Sequence, residues 1–132
     1  ELAHSEGLTI YHGLLELMQT LPHINVVALH GIADRLTARD AEGAYRTAMT
    51  LLTWWIARMV GAGARNMPLS GGEVVPGEQG CAERLLSLAR VEQWMEVWEK
   101  VTRLITQADS INLDRKQVVL NAFQVMERAT RA

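Results

Sequence analysis

A chain of 132 residues, 48% hydrophobic and 21% charged, is long enough to bury one substantial core and too apolar to be disordered. Its net charge of −2 advertises neither a nucleic-acid surface nor an anionic membrane, and no apolar run approaches the roughly 20 residues that span a bilayer. A lone cysteine, Cys81, excludes an internal disulfide and suits a reducing cytoplasm.

Period-two alternation is missing and a 3.6-residue period recurs throughout, so the expectation is an all-α single bundle of five to six amphipathic helices. The opening ELAHSEG, which lacks a methionine, reads as the end of a helix closed by Gly7 and suggests a piece of something longer. A first helix follows from about Thr9 to Leu21, with Tyr11, Leu14, Leu15 and Met18 inward and Pro22 as its stop. Asn25 is a good N-cap for a second helix through Leu36, burying Val26, Leu29, Ala33 and Leu36. Asp40 can cap a third, Ala41 to about Val60, whose wide apolar arc (Tyr45, Ala48, Leu52, Trp55 and Met59 at its centre) marks a central helix.

Residues 61–80 hold six of the ten glycines and two of the three prolines and read as a long loop. A short helix over Glu78–Leu88 comes next. In the fifth, Val91, Trp94, Trp98, Val101, Ile105 and Ala108 form an apolar stripe opposite Glu92, Glu96, Glu99, Arg103 and Thr106. The sixth is capped by Asn112 or Asp114, and Asp114 with Gln117 has capping-box spacing. Phe123 lies on its apolar side, opposite a polar stripe of Asp114, Gln117, Asn121, Gln124 and Arg128. The expected core therefore includes Trp55, Trp94, Trp98, Val101, Ile105 and Phe123.

Motifs of chemistry are few. There is no GxxxxGK[ST], and the glycine-rich SGGEVVPG lacks the lysine and places Glu73 where a phosphate would be repelled. His4, His12, His23 and His30 share no metal-ligand spacing, and Cys81 has no CxxC partner. Glu92, Glu96 and Glu99 read as a solvated face. Two features stand apart. Trp54 has Thr47, Thr50, Ala57 and Arg58 as helical neighbours, a mixed face that makes it a candidate interface anchor, and partial cover by the glycine-rich loop explains it equally well. Arg115 and Lys116 occupy a first helical turn, where the helix dipole disfavours cations; solvated side chains that cost little are the favoured reading, and a tertiary or partner contact is the alternative.

Two segments, 28–60 and 91–127, carry a resemblance. Trp94-x-x-x-Trp98-Glu99-Lys100, followed by Asn112-Leu113-Asp114-Arg115-Lys116-Gln117-x-Val119-Leu120, resembles the C-terminal domain of the delta-prime subunit of the bacterial DNA polymerase III clamp loader, most of all its alphaproteobacterial branch. The likeness runs colinearly through about half to two thirds of the chain. It implies an all-helical collar domain spanning 1–132, no active site, no cofactor and no small-molecule ligand. The implied partners are the other clamp-loader subunits, and contact with DNA is only indirect. Asn112–Gln117 then reads as a helix-start and contact segment, with Trp54, Asp114, Arg115, Lys116 and Gln117 as candidate interface residues. The family's trans-acting arginine belongs to a module outside this stretch, so no arginine here takes that role. Two other classes stay open: a helix-turn-helix DNA binder built on residues 33–48, and a small helical enzyme with a pocket beneath loop 61–80.

Overall fold

A computed structural model describes residues 4–111 and 114–131. Six helices follow in order, α1 His4–Met18, α2 Val26–Leu36, α3 Glu42–Arg65, α4 Glu78–Leu88, α5 Val91–Ile111 and α6 Arg115–Arg131, and there is no strand among the described residues. The expected all-α bundle is what forms.

α3 is the axis. It packs against α1, α2, α4 and α5, while α6 closes the far side against α5, α2 and α4. Tyr45, Ala48, Met49, Leu52, Trp55, Ile56, Met59 and Ala62 are all buried on it, so one wide apolar arc serves several neighbours at once. α3 and α5 run antiparallel. Tyr45 and Met49 lie beside Ile105 and Asp109 at one end, and Gly63 lies against Val91 at the other.

The helix ends follow local chemistry, with corrections to the expected bounds. α1 begins at His4 and passes through Gly7, so ELAHSEG does not close a helix there. Asn25 caps α2 as expected by accepting from the Ala28 N–H, but Val26 is 59% exposed because the first turn projects off the bundle. Asp40 does not cap α3; Ala41 occupies the N-cap without a side-chain hydrogen bond.

The glycines at 61 and 63 do not end α3, which runs on to Arg65 and closes on Asn66 in the left-handed conformation. Gly63 is needed for packing rather than for a turn. A Cβ there would lie 2.8 Å from Val91 Cγ2 and 2.9 Å from a methyl of Leu86, so only glycine lets the start of α5 and the end of α4 come this close. Because α3 claims 61–65 and α4 starts at Glu78, the connection expected over 61–80 shortens to 66–77.

Of the expected core, Trp55, Trp94, Val101 and Phe123 are fully buried, and Ile105 is half-buried against them. Trp98 is the exception, at 38% exposed. The buried line of α5 is Trp94, Val97, Val101 and Ala108. At about 100° per residue, Val97 and Val101 centre that line on the far side of Trp94 from Trp98, which is left on the shoulder facing α3. Trp94 itself is fixed at both ends, since its indole N–H donates to the Leu85 carbonyl at 2.9 Å and ties α5 to α4.

Candidate interaction surface

The expected interface residues fall into two separate places. At the start of α6, Asp114 Oδ1 accepts from the Lys116 N–H at 3.1 Å, so Asp114 opens the helix. The capping box is not completed: the Gln117 amide donates to Asn121 Oδ1 instead of reaching back. Asn112 lies outside the described residues. Both cations find partners across the bundle. Arg115 Nη2 meets Glu42 Oε1 of α3 at 3.1 Å and its guanidinium lies 5.0 Å over the Tyr45 ring. Lys116 Nζ meets Asp34 Oδ1 of α2 at 2.7 Å. That hydrogen bond holds the Asp34 carboxyl below its ordinary range. The cations disfavoured by the helix dipole thus act as tertiary ties from α6 to α2 and α3.

The second place surrounds Trp54. Its indole is 41% exposed and tilts against Tyr11 of α1, with the Arg58 guanidinium 4.5 Å over its ring. Arg58 reaches further. Nη1 meets Glu78 Oε2 at 2.8 Å, and Nη2 donates to the carbonyls of Ser70 and Gly72 at 3.2 and 2.8 Å. Glu78 is fully buried, accepting from the Tyr11 hydroxyl and from the backbone N–H groups of Val74 and Val75. Burial and then the Glu78 carboxylate push the Tyr11 phenol above its ordinary value.

Sequence reasoning placed Trp54 on a mixed face beside the glycine-rich loop but missed the residues that hold that connection, Arg58 on Ser70 and Gly72 and Glu78 on Val74 and Val75. The one local signal was an acid in the first turn of α4, directly after the left-handed Gly77.

Cys81 is buried, and burial pushes its thiol to about 11, so it stays protonated at neutral pH. Among the described residues no group of three or more His, Cys, Asp or Glu is placed to hold a metal ion. The cleft beside the loop, ≈ 490 Å³ and lined by Asn66, Pro68, Gln79, Glu83 and Ser87 among others, offers one carboxylate and no base to pair with it. No helix among the described residues is long and apolar enough to cross a membrane.

Compared with protein-family models, curated proteins and solved structures, the chain matches none.

Proposed function

We propose that this chain is a non-catalytic assembly domain of the delta-prime subunit of the bacterial DNA polymerase III clamp loader, a cytoplasmic protein of DNA replication. In this reading it helps form the oligomeric helical collar that supports sliding-clamp loading. The observation that carries the reading is the pairing of Trp94-x-x-x-Trp98-Glu99-Lys100 with Asn112-Leu113-Asp114-Arg115-Lys116-Gln117 at the family's spacing. The described residues of the two motifs lie on α5 and at the start of α6, consecutive and mutually packed helices, and residues 28–36 and 42–60 of the other segment lie on α2 and α3.

Other features agree with this reading. The charged groups of the second motif are engaged in ties within the chain rather than grouped around a cavity. The helix-turn-helix alternative needs a second helix free to enter a groove, and α3 packs against α1, α2, α4 and α5.

The test is capture of the purified chain by the other clamp-loader subunits, with calorimetry against ATP alongside. Specific capture and no heat with ATP are expected. Failure of every subunit to capture the chain sinks the reading, and salt-dependent DNA affinity would favour the helix-turn-helix alternative.

A further inference from the structure

A cavity of ≈ 360 Å³ lies where α1, α2 and the first turns of α3 meet. Ile10 and Gly13 of α1, Ile32 and Leu36 of α2 and Ala44 of α3 give it mostly apolar walls. Leu36 is buried, whereas Ile10, Ile32 and Ala44 are half-buried, so the hollow is open to solvent. Its depth depends on residue 13. A Cβ there would rest 3.7 Å from Ile32 Cδ1, an ordinary contact distance, and would meet nothing else of another helix within 4 Å. Packing therefore does not demand glycine, as it does at Gly63. A glycine inside a helix is less stable than alanine, so α1 gives up stability at a position that keeps the hollow open.

Two opposite charges line the same cavity from different helices, Glu6 of α1 and Arg35 of α2. Both are exposed, and neither has an ion-pair or hydrogen-bond partner among the described residues, so they do not neutralise each other. Arg58, Arg115 and Lys116, by contrast, each take a carboxylate from another element. Glu6 lies in the first turn of α1 and Arg35 in the last turn of α2, where the helix dipoles favour their signs. That local preference explains each charge alone. Their convergence on one apolar hollow comes from the packing of α1 on α2.

We infer that this cavity binds a free α-amino acid with an apolar side chain. The side chain enters between Ile10, Ile32 and Leu36, in a hollow within the size range of small-molecule sites. The ligand carboxylate takes the Arg35 guanidinium, which presents a fork of donors matched to it, and the ammonium takes the Glu6 carboxylate. An apolar anion would meet Glu6 as a like charge, and an apolar cation would meet Arg35. A zwitterion alone uses both rims. The clamp-loader resemblance implies no small-molecule ligand, so such a site adds to the assembly reading and does not depend on it.

The test is titration of the purified chain with L-phenylalanine and with L-leucine, read from the methyl signals of Ile10 and Ile32 by NMR. Saturable shifts at both methyls are expected for at least one of the two. Phenylpropionate, which lacks the ammonium, and phenethylamine, which lacks the carboxylate, should bind at least about threefold more weakly than L-phenylalanine, the discrimination a solvent-exposed charge pair gives. Arg35→Gln, a change at an exposed position, should weaken L-phenylalanine by a similar factor and leave phenethylamine no weaker. Gly13→Leu fills the hollow with a better helix former and should abolish the shifts while the thermal midpoint holds or rises. The site is overturned by no saturable shift up to ~10 mM ligand, where a site of millimolar dissociation constant is nearly filled. Binding that Gly13→Leu leaves intact also overturns it, and phenylpropionate binding as tightly as L-phenylalanine removes the zwitterion.

Discussion

Arg58 and Arg115 make the same pair of contacts in two different settings. Each guanidinium lies over an aromatic ring, Trp54 or Tyr45, and each meets a glutamate from another helix, Glu78 or Glu42. The side chains of Arg58 and Glu78 are 10% and 0% exposed, against 35% and 68% for Arg115 and Glu42. Burial decides what the contacts are worth. In the interior a charge that loses its partner has no water to turn to, whereas at the surface water and salt replace the partner at little cost. The Arg58 cluster is accordingly a structural clasp over residues 70–75, and the Arg115 tie mainly sets where α6 begins.

The largest expected effect tests the clasp. Glu78→Ala strands Arg58 and removes the acceptor for the Val74 and Val75 N–H groups, so urea denaturation should show a loss of about 3–5 kcal/mol. Glu78→Gln, which can still accept from the backbone, should lose clearly less. A loss under about 1 kcal/mol for the alanine variant would mean that water reaches the cluster and that the contrast with Arg115 is false.

An intermediate effect separates two tryptophans of α5 by the same criterion of burial. Trp94→Ala should cost about 3–5 kcal/mol, as deletion of a fully buried aromatic does. Trp98→Ala, with its ring partly in water, should cost roughly half of that or less. Equal losses in parallel thermal melts would show that Trp98 is as much a core residue as its neighbour.

Alkaline titration sharpens the comparison from the acid–base side. Tyr11 sits in the buried cluster with its phenol raised above the ordinary value of 10.0, chiefly by desolvation and then by Glu78. The neutral phenol is thus favoured in the folded state. Its stabilisation is complete below the unfolded value and is lost as pH rises past 10.0 toward the folded one. Cys81, raised to about 11 from 9.0, adds a loss of the same sign that begins earlier, as pH rises past 9.0. Stability measured by urea at stepwise higher pH should fall beyond pH 9, and Tyr11→Phe should flatten the part above pH 10. A flat profile would remove the buried placement of both groups.

The smallest effect belongs to the exposed ties. Arg115→Ala should cost at most about 1 kcal/mol, and most of that should disappear in 1 M salt, where screening is short-ranged. For Lys116–Asp34 the sign can be tested by acid. The Asp34 carboxyl is lowered from 3.8, so the tie is present above that value and weakens as pH falls through the folded one. A chemical-shift titration of Asp34 that moves upward in Lys116→Ala is the expected result.

Sequence periodicity by itself determined the helical class, the rough span of each helix and most inward residues, because a 3.6-residue pattern with its caps is a local property read within a few turns. Asn25 as a cap and Trp55, Trp94 and Phe123 as core belong to that category. It also singled out Arg115 and Lys116 as cations out of place, without saying what held them. Their partners, Glu42 and Asp34, are far away in sequence, and only the packing of α6 on α2 and α3 brings them near. The same limit hid the Glu78 clasp, which joins α1, α3 and the 66–77 connection around one buried carboxylate. It also misplaced Trp98, whose distance from the buried line depends on how α5 is rotated between α3 and α6. Gly63 shows the reason most plainly. Its residue type signals a break in local terms, but α3 runs through it, and the approach of Leu86 and Val91 makes it the residue that lets α4 and α5 pack this close. Local pattern fixes which elements form; their mutual rotation, and therefore which polar groups are buried and which apolar faces remain open, is set by packing between distant segments.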